Sequence, residues 1–272
     1  MCLKVLHIWN TAGVGSILAK YQRKILGWNT FLITRKKYDF YGFTTFGKTS
    51  MLPSKLFAVK VLSIIPKADI VHIHSLHRLV PIIRRIYPKK PIVLHYHGSE
   101  IRGKWKSKEM YWIYADAVLV STPDLLAGAP RHVIYLPNPV DTELFRPMPE
   151  YRISENIGIF IHRGYTDYDE AIRKTAEIAK KIKIKVFIHD SLNKPIPYLL
   201  MPKFLNKFNY FIDRWWINSL SKTALEALAC GLKVIRWDGK VIQGLPQEHK
   251  PEYVVRKLAR IYYEVLSKYT TR

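Results

Sequence analysis

The sequence predicts an α/β fold of two domains, each with a mostly parallel sheet wrapped by helices. Short apolar runs alternate with segments of helical spacing along the whole chain, the pattern of strands joined by crossover helices. The alternation breaks once, at 137–149, where Pro137, Pro139, Pro147 and Pro149 predict a linker. A length of 272 residues is enough for two modest domains with cores of their own.

Residues 2–8 form an apolar run that meets Asn10-Thr11-Ala12-Gly13-Val14-Gly15 and then an amphipathic segment at 16–26, so the chain opens as strand, glycine loop and helix. Gly27 ends that helix, a strand follows at 30–34, and a stretch rich in Tyr, Phe, Gly and Thr runs on to Ser50. Residues 56–65 have helical spacing and stop at Pro66. Ala-Asp-Ile-Val-His-Ile-His at 68–74 reads as a buried strand, 79–87 as a helix and 91–97 as a further apolar strand. Strands at 117–121 and 133–136 complete the first domain. Beyond the linker, strands are expected at 157–161, 185–189, 210–213 and 233–237, with helices at 168–182, 199–208 and 223–229. A last helix at 252–268 closes the chain. The expected domains are 1–148 and 149–272, with the last helix free to pack back on the first.

Composition narrows the function classes. An apolar share of 48% with 24% charged residues is that of a globular chain. The net charge of +23 divides into +13 up to residue 150 and +10 beyond it, so the excess is no detachable tail and both parts suit an anionic partner. Cys2 and Cys230 are too few for a disulfide framework or a Cys-rich zinc site; with no signal-peptide pattern at the start, a cytoplasmic location is expected. No apolar run approaches the ~20 residues of a spanning helix. Any membrane attachment is therefore expected to be peripheral, on the inner face. Abundant Lys, Ile and Tyr beside three glutamines, Gln22, Gln243 and Gln247, resemble a thermophile's composition.

Several residues stand out as candidates for chemistry. The loop at Gly13-Val14-Gly15 lies between strand and helix, where amide groups and the positive helix end can receive a phosphate. It lacks the third glycine of G-x-G-x-x-G, and a plain tight turn explains it equally well. His72, His74, His95 and His97 gather at two strands; His97, before a glycine turn at a strand end, is the best placed for chemistry, while His72 and His95 read as core residues. No H-x3-H or cysteine spacing supports zinc, so no metal site is expected. Arg163 follows an apolar strand, and a guanidinium there can fork onto phosphate oxygens or simply be solvated. Ser219-Leu220-Ser221-Lys222-Thr223 precedes a helix with a hydroxyl cap and a glycine stop, a second anion cradle. Arg102-Gly103-Lys104-Trp105-Lys106-Ser107-Lys108 mixes basic residues with tryptophan, which suits a membrane interface, a lipid phosphate, a stacked base or a solvated loop.

Five strings carry a family resemblance: A-D-I-V-H-I-H-S-L at 68–76, P-I-V-L-H-Y-H-G-S-E at 91–100, A-D-A-V-L-V-S-T-P-D-L at 115–125, L-P-N-P-V-D-T-E-L-F-R-P at 136–147 and A-L-E-A-L-A-C-G-L-K-V-I at 224–235. In this order they resemble the GT-B glycosyltransferases of the retaining glycosyl-transferase-group-1, family-4-like superfamily, in a short archaeal-type form. The resemblance implies two Rossmann-like domains facing across a cleft, the second abbreviated. It implies that Gly13 and Gly15 approach the donor phosphates, that His97 contacts the transferring sugar, and that Arg163 neutralises the diphosphate. Glu226 matches the second glutamate of the family's E-x7-E motif and would bind ribose hydroxyls; Asn218 stands where the first glutamate belongs. The family's lysine after the strand-end arginine is absent, and Lys222, flanked by Ser221 and Thr223, is the expected substitute.

The function expected from the resemblance is retaining, metal-independent transfer of a hexose from a UDP- or GDP-linked sugar to a lipid-linked or other anionic or glycan acceptor, with no cofactor. Arg102, Lys104, Trp105 and Lys106 form the expected acceptor or membrane surface. A degenerate GT-B protein that binds nucleotide or glycan without turnover is the first rival. A nucleic-acid-binding protein is the second; with no RNP, KH or zinc-finger signature, no nucleic acid partner is expected.

Overall fold

A computed structural model describes residues 2–153 and 156–270. In chain order the elements are β1 (Lys4–Ile8), α1 (Val14–Leu26), β2 (Asn29–Arg35), β3 (Lys48–Ser50), α2 (Ser54–Ile64), β4 (Ile70–His74), α3 (Leu79–Ile86), β5 (Ile92–Tyr96), α4 (Glu109–Trp112), β6 (Ala117–Val120) and β7 (Ile134–Tyr135). They continue with β8 (Ile157–His162), α5 (Tyr168–Lys181), β9 (Lys185–Asp190), α6 (Met201–Leu205), β10 (Tyr210–Ile212), α7 (Lys222–Ala229), β11 (Lys233–Ile235), β12 (Val241–Gln243) and α8 (Pro251–Thr270). The chain divides into two compact units, 1–139 with 251–272, and 140–250. The division falls after Pro139, nine residues before the expected boundary, and α8 belongs to the first unit.

In the first unit all neighbouring strands are parallel, in the order β3-β2-β1-β4-β5-β6-β7. The order reverses between β1 and β4, which makes a crevice beyond the carboxyl ends of those strands the natural ligand position. The sheet is buried on both faces. Leu6, Ile8, Val71, Ile73, Leu94 and Val120 face α2, α3 and α4, whereas Val5, Ile70, Val93 and Leu119 face α1 and α8. Period-two alternation of side chains therefore sends His7, His72 and His95 to the α1–α8 side. Helix α8 is fixed there by Tyr262, stacked on Trp28 at 5.9 Å, and by Tyr269, whose hydroxyl donates to Asp116. Gly27 adopts φ +66° beyond α1 and its N–H reaches the Arg23 carbonyl, which is why that helix stops there.

The second unit has the sheet order β12-β11-β10-β8-β9, parallel except for the β11–β12 hairpin pair. Helix α5 starts where the Asp167 carboxylate accepts from the Asp169 and Glu170 amides and ends with Lys180 and Lys181, matching charge to the helix dipole at both ends. Four elements differ from expectation, the first being the unanticipated four-residue α4. Strand β3 lies inside the stretch read as irregular, and β12 was not anticipated; each has three residues, too few for periodicity to register. The helix expected at 199–208 shortens to α6, preceded by a 3-10 turn at Tyr198–Leu200. Asn206 ends it by donating to the Pro202 and Arg146 carbonyls while accepting from Met148 N–H.

Candidate functional site

The carboxyl ends of β1, β4 and β5 carry a polar cluster on strained backbone. Trp9, Ala12 and Ser75 hold positive φ of 76°, 49° and 57°, the left-handed region that non-glycine residues rarely occupy and that gathers at functional sites. Thr11 Oγ1 donates to Ser75 Oγ at 2.9 Å, and Ser75 Oγ donates to Glu100 Oε1 at 2.7 Å. The same carboxylate oxygen accepts the His97 amide at 2.5 Å. Burial opposes ionisation of Glu100, but its neighbour His97 and these hydrogen bonds outweigh that and hold its pKa below the ordinary value.

Behind this cluster five histidines line up across three adjacent strands. Parallel register sets His7 opposite His72, and His74 opposite His95. Ring centroids lie 5.1 Å apart for His7–His72, 4.3 Å for His72–His74, 5.3 Å for His74–His97 and 4.2 Å for His95–His97. His7 Nε2 donates to Gln22 Oε1 at 2.7 Å; His7 Nδ1 meets His74 Nε2 at 3.1 Å and His74 Nδ1 meets His97 Nε2 at 3.1 Å. His72 Nδ1 and the Tyr262 hydroxyl are 2.6 Å apart. Burial drives the whole row toward the neutral form: His7 and His97 are lowered to about 4, and His72, His74 and His95 lie well below their ordinary range. Two groups, His7–His72–His74 and His74–His95–His97, bring one ring nitrogen per residue within 4.8 Å of each other. The expectation that His72 and His95 are interior residues matches their full burial. Their convergence with His7 and His74 was missed. The legible signal was the H-x-H string repeated on two successive strands, which puts alternate residues on one face.

Gly13 and Gly15 are both buried. Gly13 holds φ +80° at the start of α1 and needs to be glycine for that reason. At Gly15 a Cβ would meet Trp9 O at 2.8 Å, Leu32 Cδ1 at 3.0 Å and His74 Cδ2 at 3.2 Å, so its missing side chain serves helix-to-sheet packing. Asn10 Oδ1 accepts the Ser16 amide of the same helix.

The expected basic surface is changed in one residue. Trp105 is a correction: it is buried among Tyr96 and Trp112, with Nε1 donating to the Leu125 carbonyl at 2.9 Å, because its indole fills the first unit's core. Arg102 pairs with Asp124 at 2.7 Å and Lys104 Nζ donates to the Ser99 carbonyl, while Lys106 is exposed.

In the second unit, the end of β8 and the start of α7 come together. Arg163 follows β8, and its Nη2 donates to Thr223 Oγ1 at 3.2 Å. Ser221 caps α7 by accepting the Ala224 amide at 3.0 Å, and its own amide donates to Asp213 Oδ2. Burial raises the Asp213 pKa in spite of its hydrogen bonds from Ser221 and the neighbouring Arg214. Glu226, one turn along α7, accepts at Oε1 from Lys222 Nζ at 2.8 Å and from the Tyr198 hydroxyl at 2.9 Å. Lys222 is thus directed at Glu226, with side-chain exposures of 11% and 4% for the two. Burial and the adjacent Glu226 hold the Tyr198 phenol protonated. Asn218 is exposed in the loop before α7. Arg163, Ser221, Lys222, Thr223 and Glu226 therefore share one end of the second sheet.

Two α/β units of this topology, one with a parallel sheet and one with a mixed sheet, define an α/β protein of the Rossmann-like, GT-B type. Solved structures agree. The chain is similar to UDP-N-acetylglucosamine 2-epimerase from Rickettsia bellii, at 14% identity over 98% of both chains with a TM-score of 0.55. It is also similar to sucrose-phosphate synthase from Thermosynechococcus elongatus, at 13% identity over 97% of this chain and 90% of that one with a TM-score of 0.51. The S. aureus MnaA–UDP co-structure matches at 14% identity over 99% and 90% of the chains, with a TM-score of 0.50. No protein-family model and no curated protein sequence matches the chain. Among the described residues no helix is long and apolar enough to cross a membrane.

Proposed function

We propose that this protein transfers a hexose, with retention, from a UDP- or GDP-linked sugar to a lipid-linked or other anionic or glycan acceptor. The observation that carries the reading is the meeting of the Arg163 guanidinium with Thr223 at the hydroxyl-capped start of α7. A strand-end cation and a helix N-terminus form a receptor for a diphosphate, and fixed positive groups stabilise the charge that develops as a nucleoside diphosphate departs. Protein cations supply that stabilisation at the donor without a metal ion. Lys222, on its four-carbon stem, swings from Glu226 onto the phosphates when donor binds, which frees the Glu226 carboxylate for the ribose hydroxyls. The leaving diphosphate collects the acceptor's proton. The basic surface, including Lys104 and Lys106, attaches the protein to anionic lipid at about 1 kcal/mol per well-placed cation.

Thermal-shift titration with UDP, GDP, ADP and their sugars tests the donor site. One nucleotide should stabilise the protein, by about 2.7 kcal/mol at a hundred times its Kd, and Arg163→Ala should remove the shift. No shift with any nucleotide, or an unchanged shift in Arg163→Ala, overturns the reading. Binding without turnover is the second reading, favoured by the uncharged Asn218 and by the engagement of Glu226 with Lys222 and Tyr198. Sugar release or transfer by the wild type that disappears in Glu226→Ala excludes it.

A further inference from the structure

We propose that His74, His95 and His97 form a binding site for a divalent first-row transition metal ion of the zinc class. His74 ends β4, and β5 carries His95 and runs on to His97, so adjacent parallel strands deliver all three to one face. One ring nitrogen of each lies within 4.8 Å of the others, and His74 Nδ1 and His97 Nε2 are already 3.1 Å apart. Nitrogens at about 2.05 Å from a tetrahedral zinc stand about 3.3 Å from each other. That pair has the spacing of two ligand corners. Imidazole suits zinc, copper and nickel, and three histidines leave a fourth position open.

The hydrogen bonds single out this triad from its neighbour. His95 is fully buried, and neither of its ring nitrogens has a partner among the described residues. Buried polar atoms are rarely left unpaired, and a metal ion satisfies an imidazole lone pair directly. Because Gln22 Oε1 can only accept, His7 Nε2 carries a proton; His7 Nδ1 then accepts from His74 Nε2–H. That relay holds His74 in the tautomer whose Nδ1 lone pair faces His97, the outer-shell arrangement that orients ligating histidines. Both nitrogens of His7 are thereby engaged, and the His7–His72–His74 group loses a ligand. When metal binds, the His97 proton moves from Nε2 to Nδ1, and no proton or electron leaves the site. Glu100, hydrogen-bonded to the His97 amide, supplies compensating negative charge nearby. H-x-H on a strand, with its partner on the next strand, does not produce the helical H-x3-H spacing on which the sequence-based expectation of no metal relied.

The inference is independent of the sugar-transfer reading, which rests on Arg163, Thr223, Lys222 and Glu226, and it gives His97 the role of a ligand in place of the sugar contact expected from the sequence. Its test reads metal rather than activity. The full chain, stripped with a chelator, is dialysed against Zn²⁺ and its metal content measured, with X-ray absorption reporting the ligands. One zinc per chain is expected, with Zn–N distances of about 2.0–2.1 Å. His95→Gln and His97→Gln should weaken binding by about 100-fold or more, and Gln22→Leu by about 10–100-fold. His72→Gln should bind like the wild type. Circular dichroism checks folding; if His95→Gln does not fold, His97→Gln at the strand end carries the test. Stripped wild type that takes up no zinc, folded ligand variants that bind as tightly as the wild type, or loss of binding in folded His72→Gln each overturns the proposal.

Discussion

Replacing Lys222 by methionine removes one partner of a buried ion pair while keeping most of the apolar stem. At an effective dielectric constant of about 20, unit charges 2.8 Å apart attract by about 6 kcal/mol before desolvation is counted. Desolvation offsets much of this, so the pair itself adds little over an apolar replacement. Stripping one partner away is different, because the other charge stays buried, at about 3–5 kcal/mol. With Glu226 side-chain exposure at 4% and Tyr198 still donating, Lys222→Met should lose about 3 kcal/mol. Glu226→Leu should lose about 2–3 kcal/mol, since Lys222 at 11% exposure can turn partly to water while Tyr198 loses its acceptor. The double variant removes both charges together and should lose about 1–2 kcal/mol, well short of the sum of the singles. Urea unfolding of the four proteins gives the coupling energy directly. Single losses that add to within about 0.5 kcal/mol would show that the pair does not form in solution.

Three further outcomes follow from named contacts. Gly15→Ala should destabilise by about 1–3 kcal/mol in thermal unfolding, because the nearest obstacle, Trp9 O at 2.8 Å, is backbone and cannot rotate away; a neutral effect would mean that α1 sits farther from the sheet. Trp105→Ala should cost about 3–5 kcal/mol while Lys106→Ala stays within about 0.5 kcal/mol, and equal small effects would return Trp105 to the surface. Asp213 gives a pH dependence. Its raised pKa means the folded state keeps that proton longer than the unfolded state, whose pKa is 3.8, so this group's stabilising contribution is present at low pH and is lost as pH rises above 3.8 through the raised value. Asp213→Asn keeps an acceptor for the Ser221 amide without the buried charge. The variant's stability should therefore gain on the wild type as pH rises, and a constant difference in urea midpoints between about pH 3.5 and 7 would refute the assignment.

Much of the architecture was legible because strands and helices write their own periods. The runs at 68–74, 91–97 and 157–161 became β4, β5 and β8, and Arg163 and His97 stand at strand ends as their positions implied. The start of α7 was readable from Ser221 and from the apolar spacing after it. Three-residue β3 and β12 left no such trace, and α6 was cut short by Asn206, whose partners at Arg146 and Met148 lie some sixty residues away in the chain.

By itself the sequence determined two alternating α/β stretches, their order and a strongly basic balance, because those properties depend on local composition and spacing. Only the tertiary structure decided that Trp105 is an interior residue, that Gly15 is needed by the sheet, and that α8 belongs to the first unit. It also decided that His7, His74, His95 and His97 meet. Parallel register is a relation between segments that touch in space while lying tens of residues apart, and no local pattern carries it.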